Sequence, residues 1–177
     1  MPPSQAFDAT LWITENMCGG TRLRPETSTA VANFTLMWNL FEDVVCGNHA
    51  NVRTFEMLAA RLAEAPIAED NLAVLCDCLA FWTFRYREPE GFSARFADLR
   101  FRANDQREVV EGVLLGTHGG LNEKLLSLMV IVYRLRNNLF HGLKTIDMLN
   151  KQVQNLDTAS RCLGALVRAT RSHLILN

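Results

Sequence analysis

The sequence predicts an all-α, single-domain helical bundle of about five principal helices spanning residues 1–177. Three observations carry that prediction. Apolar residues recur at spacings of three and four, as in Val31, Phe34, Trp38, Phe41 and Val45. No stretch alternates apolar and polar residues convincingly, as a half-buried strand would. Glycine and proline fall between the periodic segments, at Gly19-Gly20, Pro25, Gly47, Pro66, Pro89, Gly91 and Gly119-Gly120, and no linker is long enough to divide domains.

In chain order, a first helix is expected over Phe7 to Met17, stopped by Gly19-Gly20. Pro25 blocks helix continuation from its left, and Thr27, Ser28 or Thr29 is expected to cap a second helix running to about Cys46. A third, Asn51 to Ala65, carries Phe55, Leu58 and Leu62 on one face and ends at Pro66. A fourth, Ala68 to Tyr86, opens on Glu69-Asp70, acids that suit a helix N-terminus. After the polar break Arg85 to Gly91 come one or two short helices within Phe92 to Arg102, then a helix over Asp105 to Leu115. A strongly apolar helix follows over Asn122 to His141, and a last one runs unbroken from Thr145 to Ile175.

The chain is long enough to bury a substantial core, and its 49% apolar and 21% charged residues are ordinary for a folded protein. Disordered, collagen-like and small disulfide-scaffold classes are excluded on composition. The opening Met1-Pro2-Pro3-Ser4-Gln5 lacks the basic start and apolar run of a secretory signal. The best membrane-span candidate, Leu125 to Leu139, is interrupted by Arg134 and Arg136 and falls short of the roughly 18 apolar residues a span needs. A cytoplasmic protein without a membrane partner is the expectation. Five cysteines at irregular spacing imply no disulfide framework, and on a helix Cys76 and Cys78 point to different sides, unlike a zinc knuckle. No metal or cofactor site is expected.

Charge is unevenly spread. Residues 1–70 carry four arginines against nine acids, while residues 134–177 carry seven bases against two acids. The basic C-terminal third suits an anionic partner such as nucleic acid, or equally a solvated face that pairs with the acidic N-terminal helices.

Several chemistries can be set aside. Neither glycine pair has the lysine or preceding strand of a phosphate loop, no serine has a nucleophile-elbow context, and no histidine pair has zinc-protease spacing. His49, His118 and His173 lie beside breaks or near the terminus, where exposed or capping roles are expected. From Phe81 to Arg107 aromatic and arginine residues interleave, a pattern that can hold single-stranded nucleic acid. Four acids, Glu88, Glu90, Asp98 and Asp105, are threaded through the same stretch and Glu108 directly follows it, so core aromatics with surface ion pairs are the reading it favours.

Chemically capable groups concentrate in Arg136-Asn137-Asn138-Leu139-Phe140-His141-Gly142, at the end of the apolar helix. At about 100° per residue, Arg136 and His141 lie about 140° apart, whereas Asn137 and His141 share a face. A distorted turn near Gly142, or a second copy across a dimer axis, would reunite the arginine with the histidine. The negative end of a helix favours an imidazolium, so a histidine there can give up a proton and take one back. Such a set suits cleavage of RNA without metal: a base removes the proton of a ribose 2′-hydroxyl, which attacks the adjacent phosphorus. Arg136 would neutralise charge on the non-bridging oxygens, and Asn137 would orient the imidazole or donate to phosphate. An arginine and asparagine near a helix end can also serve simply as a C-terminal cap.

The stretch Arg136 to His141 resembles the signature of the HEPN superfamily, an arginine, a polar residue beside it and a histidine four to six residues on. The resemblance implies an all-α bundle with the signature towards its C-terminal end, and many members dimerise so that two signatures line one cleft. It implies a metal-independent endoribonuclease with a toxin or phage-defence role, RNA as substrate and an antitoxin protein as partner. Arg136 and His141 then take the catalytic places and Asn137 the supporting one. Asn39 and Glu42, polar residues on the apolar second helix, are candidates for the amide or acid that approaches the site in many members; their ordinary role would be solvent-facing. Toxins controlled by a nucleotidyltransferase carry a tyrosine two residues beyond the histidine; here Leu143 stands there, so that control is not implied. The alternative is a non-catalytic helical module binding RNA, nucleotide or a protein partner. A helical bundle that binds a small molecule is a weaker third reading.

Overall fold

The run from Leu125 to Val132 has almost no polar face, and a helix of that kind needs neighbours on every side. The computed structural model describes residues 6–16, 22–140 and 145–175, with side chains to 171 in the last segment. Its helices are α1 (Ala9–Asn16), α2 (Pro25–Val44), α3 (Val52–Ala63), α4 (Glu69–Tyr86), α5 (Ala94–Ala97), α6 (Arg107–Leu115), α7 (Leu121–Phe140), α8 (Ile146–Asn150) and α9 (Val153–Ile175). A two-residue hairpin, β1 (Arg87–Glu88) and β2 (Gly91–Phe92), interrupts them between α4 and α5. The fold is all-α, and the five helices of twelve residues or more are α2, α3, α4, α7 and α9. Among the described residues no helix is long and apolar enough to cross a membrane.

α7 takes α3 and α6 as its main partners, α9 takes α2 and α4, and α4 touches both groups. α2 and α9 run in the same direction: Thr27 Oγ1 donates to Asn150 Oδ1 (2.8 Å) just before α9 begins, and further along Met37 lies beside Gly164. α4 runs against α9. Trp82 Nε1 donates to Asn155 Oδ1 at 2.8 Å, and four residues earlier Cys78 Sγ points at the Thr158 carbonyl at 3.6 Å. The helical stripes expected from spacing are the core: Phe34, Trp38 and Phe41 of α2, Phe55 and Leu62 of α3, and Leu75 and Trp82 of α4 are all buried.

Three features differ from expectation. α2 starts at Pro25, not after a Thr27, Ser28 or Thr29 cap, because proline's fixed φ fits the first helical position, where no N–H is needed. Thr27 is buried and bonds Asn150 instead, while Asn150 also donates to the Arg22 carbonyl and accepts from Arg24 N. The same bonds occupy the end of α8, so the expected last helix is two, with a turn at Lys151-Gln152. Within 92–102 one short helix, Ala94–Ala97, forms as expected; beyond it Arg100 takes a left-handed φ of 52° and the following loop is held by tertiary bonds. The hairpin was not expected; Gly91, at φ 138°, makes its turn.

Candidate functional site at the end of the apolar helix

α7 sorts its polar groups onto different faces in its last two turns. Arg134 and Asn138, four apart, face the segment 98–105. Arg134 Nε donates to the Leu99 carbonyl (3.0 Å), its Nη2 to the Arg100 carbonyl (2.6 Å), and its Nη1 lies 3.2 Å from Asp105 Oδ2. Asn138 Nδ2 donates to the carbonyls of Asp98 (2.9 Å) and Leu99 (3.1 Å). Asp105 in turn accepts from the Arg102 backbone N–H at 2.6 Å. Both α7 residues are buried and committed to holding this loop. Burial pushes the Arg134 guanidinium below its ordinary pKa, and the neighbouring Asp105 charge acts against that shift.

Tyr133, Arg136, Asn137 and Phe140 recur at intervals of three and four along the adjoining face, which meets α2. The Arg136 guanidinium carbon sits 5.6 Å from the Trp38 ring centroid and 5.3 Å from that of Phe140. Such cation–π contacts orient a guanidinium without neutralising it. Its Nη1 donates to Asn137 Oδ1 at 3.2 Å. Among the described residues no carboxylate lies within ion-pair distance of Arg136. Arg136 Nε and Asn137 Nδ2 are both buried without a hydrogen-bond partner among the described residues. Leaving such donors unsatisfied costs about 1–3 kcal/mol each, the energy a ligand that reaches them would recover.

Glu42 is half-buried and accepts a hydrogen bond from Trp38 Nε1 at 2.8 Å. It therefore fixes the indole on which Arg136 rests, acting on the arginine at one remove. Asn39 is exposed and makes no hydrogen bond among the described residues. His141, Gly142 and Leu143 lie outside the described residues. The aromatic partners of Arg136 went unassigned in the sequence: Trp38 read as a core residue, although Phe140, one turn beyond Arg136, was a visible same-face neighbour.

Tyr133 at the other end of the stripe lines an open cleft of about 1190 Å³ between the first turn of α3 and residues 101–108, with Arg53, Arg102 and Arg107 at its edges alongside Glu56 and Glu108. The interleaved aromatics before it are largely core. Phe92 stacks on Phe96 (centroids 4.2 Å apart), Phe96 also meets Tyr86 and Phe101, and Arg107 covers Phe96 while pairing with Glu111; Phe84 alone of this group is almost fully exposed. Cys76 is exposed and Cys78 buried, facing different sides of α4 as their spacing requires. Gly112 lies under the His118 ring, whose Nδ1 is buried without a partner among the described residues. Compared with family models, curated proteins and solved structures, the chain matches none.

Proposed function

We propose that this protein is a metal-independent endoribonuclease of HEPN type, acting in the cytoplasm as a homodimer with a composite site and serving as a toxin or in phage defence, with an antitoxin protein as a further partner. The observation that carries the reading is Arg136: a half-buried guanidinium held by two rings, with no carboxylate partner among the described residues, five positions before a histidine. A cation kept charged in this way suits the trigonal-bipyramidal phosphate of an in-line attack, whose non-bridging oxygens gain negative charge. His141 takes the proton from a ribose 2′-hydroxyl, the 2′-oxygen bonds to phosphorus, and the 5′-oxygen leaves with a proton from the second copy's His141. The product is a 2′,3′-cyclic phosphate. Asn137 steadies Arg136 by accepting a hydrogen bond from its guanidinium. Glu42 is a positioning residue through Trp38, and Asn39 is open to the RNA strand.

The test is incubation of a panel of RNAs with purified protein in EDTA. Cleavage to 2′,3′-cyclic ends is expected, with His141→Ala and Arg136→Ala each lowering the rate at least a hundredfold at unchanged melting temperature. Arg136→Lys keeps the charge but loses the guanidinium fork, and is expected to recover little. RNA left intact by the wild type but bound in an Arg136-dependent manner would replace this reading with the non-catalytic binding module.

A further inference from the structure

Among the described residues, exposed apolar side chains lie close in sequence on α1 with its approach and on α2, while others such as Met57 and Phe84 are exposed elsewhere. In the N-terminal segment, Phe7, Leu11 and Trp12 are 78%, 53% and 48% exposed. On α2, Leu36 and Leu40 are 67% and 44% exposed and form one wall of an apolar groove of about 770 Å³. Val74 and Val167 supply further lining, and the floor at Gly164 carries no side chain. Isolated exposed apolar residues need no explanation, but contiguous ones mark contact surfaces.

The two patches do not cover each other within one chain. α1 leans on the first turn of α2 through Thr10 Oγ1 and Ser28 Oγ, 3.3 Å apart, using the half-buried face of Thr10, Ile13 and Thr14. Ser28 lies five residues ahead of Asn33, where the groove begins. The patches nevertheless match. Residues 6–16 carry two acids, Asp8 and Glu15, and no base, while the groove is rimmed by Arg161 and Arg168. The eight residues of α1 and the eight residues of the α2 wall from Asn33 to Leu40 each span about 12 Å. A segment and a groove carried by the same chain close on themselves when two copies exchange them about a two-fold axis.

We propose that the groove beside Leu36 and Leu40 receives the Phe7–Trp12 segment of a second copy, reciprocally. This rests on the homodimer part of the reading above and on no step of the cleavage.

Trp12 makes the contact measurable, because the other two tryptophans, Trp38 and Trp82, are 1% and 0% exposed. On raising the protein concentration, sedimentation is expected to show a dimer forming as the tryptophan emission shifts to the blue. Leu11→Asp and Leu40→Asp, both at exposed positions, are each expected to weaken the dimer at least tenfold and remove the shift at unchanged melting temperature. A wild type that stays monomeric overturns the proposal. So does a dimer that survives Leu11→Asp, or whose formation leaves the emission unchanged. RNA cleavage is scored separately: a monomeric Leu40→Asp that still cleaves supports this docking and removes the two-copy active site, whereas a dimeric, active Leu40→Asp removes the docking and leaves the nuclease.

Discussion

Asp105→Ala tests whether the buried cation of α7 holds the loop beside the site. Arg134 and Asp105 are 3% and 4% exposed, and their charged atoms lie 3.2 Å apart. Removing one member of a buried pair leaves the other charge uncompensated, which costs about 3–5 kcal/mol. Arg134 keeps its bonds to the Leu99 and Arg100 carbonyls, which places the loss near the low end, about 3 kcal/mol. The Arg102 N–H also loses its acceptor. For a chain of this size 1 kcal/mol moves the melting temperature by about 2–4 °C, so Asp105→Ala is expected to melt ~6–12 °C lower by calorimetry. The informative comparison is the double variant Arg134→Met, Asp105→Ala. It removes the charge together with its partner, and Asn138 still serves the Leu99 carbonyl. Replacing both members of a buried pair is far milder than breaking it, so the double variant is expected to recover about half the loss. A melting temperature for Asp105→Ala within about 2 °C of wild type would refute the reasoning, as would a double variant less stable than the single one.

Two further outcomes test the packing. A Cβ on Gly112 would collide with the His118 ring, so Gly112→Ala is expected to destabilise by ~1–2 kcal/mol in denaturant titration although alanine suits α6 better; in a His118→Ala background the same change is expected to stabilise. Burial pushes the Cys46 thiol up to about 12 and leaves Cys78 and Cys162 inside, so in a Cys18→Ser protein a maleimide is expected to label Cys76 alone until denaturant is added; native labelling of Cys78 or Cys162 would contradict the packing of α4 on α9.

Much of the architecture was legible because it depends on local periodicity. The α2 stripe from Phe34 to Phe41 and the buried length of α7 follow from spacing alone. The misplaced boundaries are those decided by contacts far along the chain. Asn150 bonds Arg22, Arg24 and Thr27, more than 120 residues away, and no window of sequence around residue 150 contains that information. The Thr27 cap failed for a related reason, since its hydroxyl was already engaged across the bundle.

The same distinction governs the site. Spacing separates Arg134 and Asn138 from Arg136, Asn137 and Phe140, but it is silent on which pair meets a loop and which meets α2. The packing of residues 98–105 decides that, by supplying carbonyls to Arg134 and Asn138. Once those two are consumed, the polar cluster that drew attention in the sequence reduces to Arg136 and Asn137 among the described residues. Arg134 finds an acid, Asp105, whereas among the described residues Arg136 finds two rings and a neutral amide. The contrast between two arginines two residues apart is therefore a stronger reason to test Arg136 for phosphate chemistry than the spacing of the motif was.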